Sequence, residues 1–152
     1  MSFRKKRSLS EVTNAKNHTP NDEALKKSEA NLRTVFDNTD SAYILFGTDL
    51  QILSFNLLAQ QYSEENNKKS LAIGKYINEY FSPERWPQIM EMLKKLSKGD
   101  TVSYELSVVG DNGVTKWHHV RWLNVKNKGN KNWGYILANK DITETKTAAL
   151  ER

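Results

Sequence analysis

Two adjacent histidines, His118 and His119, and the carboxylates Glu105 and Asp111 are the side chains of this 152-residue chain best suited to acid–base chemistry. A histidine titrates near neutrality and a neighbouring carboxylate can orient its ring, so such a pair could move protons in a small α+β enzyme. Nothing in the spacing demands that arrangement. Glu105 alternates with apolar neighbours and reads as an outward strand residue, so no catalytic residue is assigned. His118 and His119 are consecutive on a strand, leave opposite faces, and do not chelate one metal ion together. No metal site is expected. One of the two would face the interior, where a hydrogen-bonded structural role is the simpler reading.

Other chemistries are excluded by composition. The chain has no cysteine, which removes disulfides, cysteine metal knuckles and thiolate nucleophiles. The turns Lys98-Gly99-Asp100 and Gly110-Asp111-Asn112-Gly113 are too short to cradle phosphates, and neither ATP-binding glycine boxes nor a phosphoacceptor segment of a kinase is present. Aromatic and basic residues interleave over 116–133 as a base-stacking platform would, yet Trp117 and Trp122 fall on opposite strand faces. The net charge of +5 is also uneven: residues 1–21 carry +4, leaving +1 for the rest. No nucleic-acid partner is expected. The basic segment 1–18 has too few apolar residues to offset its ordering entropy and is expected to be disordered, although clustered Lys and Arg can meet anionic lipid or nucleic acid. The longest apolar run is 42–46, far short of the roughly 20 residues that span a bilayer. With neither a span nor a secretory signal, the chain is read as cytoplasmic.

The elements follow from periodicity and caps. Thr19-Pro20-Asn21-Asp22 opens a helix to about Asp37, whose stripe of Leu25, Leu32, Val35 and Phe36 is interrupted by Ser28 and makes a weak coiled-coil seam. Residues 42–46 and 52–55 form a hairpin. Asn56 caps a helix to about Glu65 with Leu57, Leu58 and Tyr62 facing inward. Ser82-Pro83 opens the longest internal helix, with Pro87 in its first turn and Gly99 as its C-terminal cap. Val102, Tyr104, Leu106 and Val108 alternate with polar residues, and two turns then lead through 114–125 to 133–138, giving three antiparallel strands. Asp141-Ile142-Thr143-Glu144 caps a last helix. Val120 and Trp122 lie on one face of the middle strand and Trp117, Leu123 and Val125 on the other, so both sheet faces need cover. The internal helices cover one, and the N-terminal helix or a second subunit the other.

This order of pieces resembles a PAS domain with its C-terminal PAC part. The carriers are residues 29–33 leading to Phe36-Asp37-Asn38, then Thr48-Asp49, 52–56 and Ile73-Gly74-Lys75, and, more specifically, Trp117-His118-His119-Val120-Arg121, Gly134-Tyr135 and 141–146. One departure is 66–69, where many relatives carry a glycine. The resemblance implies an α+β fold: a five-stranded antiparallel sheet with helices on one face, flanking N- and C-terminal helices, and a small cavity between the sheet and the long helix. It implies a division into the tail 1–18, a flanking helix 19–38, a sensory domain 39–143 and the start of a signalling helix 144–152.

It further implies a noncatalytic sensory or dimerising module, most often of bacterial two-component chains with a sensor histidine kinase. A ligand- or partner-induced change would pass to the C-terminal helix through Asp141, Ile142 and Thr143. The partners implied are a second copy of the chain and a downstream signalling domain or protein. A His/carboxylate enzyme or a ligand-free interaction scaffold are the alternatives. Without cysteine the cysteinyl-flavin and cysteine-linked coumarate relatives are excluded, and without a histidine on 82–99 the haem ligation of haem-binding relatives is disfavoured. A noncovalent small molecule remains open. Pocket walls are expected from Ile44, Tyr62, Ile89, Leu93, Leu96, Tyr104, Leu106, Val120 and Trp122, and a dimer interface from Leu25, Leu32, Val35, Phe36, Trp117 and Leu123.

Overall fold

The computed structural model describes residues 20–150; the basic segment 1–18 and the expected cap at Thr19 lie outside the described residues. Five strands form one antiparallel sheet: β1 (Ser41–Gly47), β2 (Ile52–Phe55), β3 (Val102–Val109), β4 (Thr115–Lys126) and β5 (Asn132–Asp141). Their spatial order is β2-β1-β5-β4-β3, which puts the first hairpin beside the last strand and leaves β2 and β3 at the edges. Among the described residues the α-helices are α1 (Pro20–Asp37), α2 (Leu57–Asn66), α3 (Trp86–Ser97) and α4 (Thr143–Leu150). This is the α+β, five-stranded arrangement with flanking helices that the residue pattern implies. Residues before Phe36 fall in a unit separate from the body that begins there. In that unit Leu25, Leu32 and Val35 are exposed.

The core lies on the sheet face that carries Phe46 and Trp122, whose rings stack at 6.0 Å. Ile52, Ile77 and Leu96 are fully buried beside them. Gly134 marks a close approach within the sheet. A Cβ there would lie 2.5 Å from the Phe46 carbonyl oxygen, so only glycine allows β5 to approach β1 at this point.

Asn56 joins three elements. Its side-chain oxygen accepts from the N–H groups of Ala59, at 3.1 Å, and Tyr43, at 2.9 Å. Its amide nitrogen donates to the carbonyls of Phe36, at 2.7 Å, and Ser41, at 2.9 Å. The residue thus caps α2 as expected while also fastening the end of α1 to β1. Phe36 stacks on Tyr43 at 5.9 Å, and Asp37 accepts from the Leu57 N–H at 3.1 Å, so the same junction is held from both sides.

Two local expectations are corrected. The helix expected from Ser82-Pro83 becomes a 3-10 turn, Pro83–Arg85, and α3 starts only at Trp86. Pro87 has no N–H to return to residue 83, and its ring would crowd that carbonyl, so the α-helical ladder begins later. Leu57 is exposed rather than inward, because the cap at Ala59 turns the face of Ala59 and Ser63 towards the core. In the segment where many relatives carry a glycine, Lys68 itself adopts a positive φ of 57°. A lysine there is strained, and its exposed ion pair with Asp111 at 3.1 Å offsets little of that strain.

Replacing Asn56 by Ala would remove four hydrogen bonds at once, leaving the N–H groups of Tyr43 and Ala59 without this acceptor, while the Ser41 carbonyl keeps the Thr39 hydroxyl at 2.7 Å. Stability in urea denaturation should fall by about 2–4 kcal/mol, well beyond the loss of a lone helix cap. A loss under about 1 kcal/mol would show that the junction is not cooperative.

Candidate functional site

A cavity of about 160 Å³ opens between the inner sheet face, α2 and the segment that follows α2. Of the nine expected wall residues, Ile44, Tyr62, Tyr104, Leu106, Val120 and Trp122 line it. Ile89, Leu93 and Leu96 do not. Ile89 lines a wider cleft of about 330 Å³ with Met92, Val102, Tyr104 and Trp122. Leu93 lines a surface groove with Leu50 and Tyr135, and Leu96 is sealed in the core. The cavity therefore faces α2 and not the long helix α3. Trp122 accounts for this, because its large ring contributes to both the cavity and the α3 cleft and fills the sheet face beneath that helix.

The inward alternation of β4 and β5 brings His118 and Asn139 into the cavity wall. His118 is 2% exposed, and its Nδ1 lies 2.9 Å from the Asn139 side-chain oxygen. The Tyr62 ring meets the imidazole edge-on, 5.4 Å between centroids. Burial, and then the Asp141 carboxylate, raise the Tyr62 phenol above its ordinary value, so it stays protonated. Ser63 is committed: its hydroxyl donates to the Lys69 carbonyl at 2.6 Å. Asn139 and Ser63 were not expected at the site. Asn139 was legible in principle, since it follows Tyr135 and Leu137 at every second position and so shares their face.

His119 leaves the other side of the strand, lining a shallow depression with Arg121, Ser41 and Lys140. Glu105 forms a 2.6 Å ion pair with Lys146 of α4, and Asp111 pairs with Lys68, so neither carboxylate meets a histidine through these contacts. Among the described residues no three His, Asp or Glu side chains converge to hold a metal ion, and no helix is long and apolar enough to cross a membrane.

One residue from His118, the main chain of Trp117 holds the start of α4. The Trp117 N–H donates to the Thr143 hydroxyl at 2.9 Å, and the Trp117 carbonyl accepts from the Ile142 N–H at 2.8 Å. Asp141 accepts from the Thr143 N–H at 2.9 Å. Lys146 lies 5.2 Å from the Trp117 ring, covering part of the outer face. Phe36, Trp117 and Leu123, three of the expected interface residues, are half-buried. Partial burial opposes ionisation of Asp141, but hydrogen bonds from Thr143 outweigh it and hold the carboxyl below its ordinary value.

A model of the PAS fold matches residues 36–147. The PAS domain of Bordetella pertussis BvgS superposes with a TM-score of 0.60 at 17% identity, covering 85% of this chain and 96% of that one. The PAS domain of an HTR-like protein from Haloarcula marismortui gives 0.57 at 18% identity, covering 80% and 98%. A PAS domain from Colwellia psychrerythraea gives 0.57 at 16%, covering 79% and 98%. At these identities the likeness is one of fold. No curated protein matches the chain significantly.

Asp141→Ala should lose about 1 kcal/mol at pH 7, as a helix cap does. Because the folded-state pKa is depressed, the contribution of Asp141 is present above the unfolded value of about 4 and is lost as pH falls through the folded one. Denaturation curves of the two proteins should therefore converge in acid; a gap that persists well below pH 3 would assign the effect to something other than the carboxylate.

Proposed function

The chain belongs to the PAS-fold family, and from that membership we propose that it is the sensory and dimerising module of a bacterial signal-transduction system of the two-component, histidine-kinase type. By itself it is noncatalytic and works in the cytoplasm, with a downstream signalling domain or protein as partner. A flanking helix over 19–38, a sensory body over 39–143 and a signalling helix from 144 divide the labour.

The observation that carries this reading is the geometry of β4. His118 reaches into the cavity while the preceding residue, Trp117, clasps Ile142 and Thr143 by its own main chain. A shift of β4 set by whatever occupies the cavity would move the first turn of α4 with no intermediate element. The ion pair between Lys146 and Glu105 couples the same helix to β3. Dimerisation is supported by two apolar surfaces that call for cover: the exposed Leu25, Leu32 and Val35 on α1, and Trp117 and Leu123 on the outer sheet face.

Ala59 lines the cavity from α2, so Ala59→Leu imitates occupancy without a ligand. Amide exchange over 143–150 should change about threefold or more in that variant, together with the cavity strands. Altered exchange confined to the strands, with α4 as in the unchanged protein, would defeat the relay. Light scattering that finds a monomer at high concentration would remove the dimer.

A further inference from the structure

Among the described residues two buried side-chain atoms lack a hydrogen-bond partner, His118 Nε2 and Asn124 Oδ1. The second is no cavity atom: the other end of the Asn124 amide donates to the Leu96 carbonyl at the end of α3. The first is a buried atom of a residue that lines the cavity. An amide oxygen can only accept, so Nδ1 of His118 carries the proton in its 2.9 Å contact with Asn139. In the neutral ring Nε2 then keeps a lone pair, fixed in direction by Asn139 on one side and the Tyr62 ring on the other. A buried acceptor left unserved is costly, and a donor arriving with a ligand would relieve that cost.

Size and polarity narrow the ligand. The volume of about 160 Å³ is close to the roughly 150 Å³ of an apolar cavity that takes up benzene, and below the roughly 300 Å³ at which drug-sized pockets begin. Ile44, Phe46, Leu106, Val120 and Leu137 give it apolar walls. The Ser63 hydroxyl is used within the chain, and the Trp122 N–H points 3.4 Å to the Tyr104 hydroxyl. The one Arg or Lys among the described lining residues, Arg85, is exposed at the rim and sits 5.1 Å from the Phe81 ring. An anion inside would meet no buried cation.

We propose that the cavity binds a neutral molecule of about one substituted aromatic ring whose hydroxyl or N–H donates to Nε2 of His118. This deepens the sensory reading and rests on it, naming the ligand class of the same site.

Phenol, toluene and benzoate at millimolar concentration are probes of the full chain by calorimetry and by ¹⁵N NMR of the His118 imidazole. Phenol should bind at least about tenfold tighter than toluene, because only phenol serves the lone pair. It should also shift the Nε2 resonance while Nδ1 stays protonated. In His118→Leu the preference should shrink to within about twofold; the imidazole resonances of the unchanged protein carry the test if that variant does not fold. Equal binding of phenol and toluene, tighter binding of benzoate, or no binding of any of them because water alone serves Nε2, would each overturn the proposal. Exchange of α4 with phenol bound reads the relay separately: bound phenol that leaves α4 unmoved supports the anchor and removes the sensory reading.

Discussion

The buried amide of Asn56 is the constraint on which the arrangement turns. One side chain satisfies two main-chain donors and two main-chain acceptors drawn from the end of α1, from β1 and from the first turn of α2. In a low-dielectric interior such a network is strong when complete and costly when partial, so residue Phe36, β1 and the first turn of α2 are set together. The orientation of α2 follows from it. With the cap at Ala59, that residue, Tyr62 and Ser63 face the sheet, and the space they leave against β3, β4 and β5 is the cavity.

Strand β4 then separates two tasks by the simplest device available to an extended chain. Successive residues leave opposite faces, so His118 enters the cavity while Trp117 stays on the outer side beneath Lys146. The main-chain groups of Trp117 also bind the start of α4. A rigid sheet makes this useful: the close contact of Gly134 with β1 and the unbroken eight-residue register of β4 on β5, from His118 to Val125, leave little room for the strands to slide independently. Any displacement is shared.

Much of this was legible in residue order, for a physical reason. Period-two alternation in β3 and β4 reports facing directly, so Tyr104, Leu106, Val120 and Trp122 could be placed on the cavity side without coordinates. Caps are equally local, as Asn56 and Asp141 show. What escaped depends on distance in sequence. Asn56 reads as the cap of one helix, and its bonds to Phe36 and Ser41 exist only once β1 lies beside α2. Ile89, Leu93 and Leu96 have correct helical spacing, but which void a helix faces is decided by the bulk of Trp122, not by its own period. Asn139 shows a third kind of gap: alternation gave its face, while its worth depended on His118 arriving across the sheet.

The position of β3 carries a consequence for self-association of another kind. As an edge strand of eight residues it offers a row of main-chain donors and acceptors that another chain's strand could extend. Glu105 stands in the middle of that strand, tied to a lysine. An incoming backbone would have to strip water from this charge pair, and the polar Ser103 and Ser107 on either side add no apolar reward. The edge is thereby guarded against amyloid-like growth.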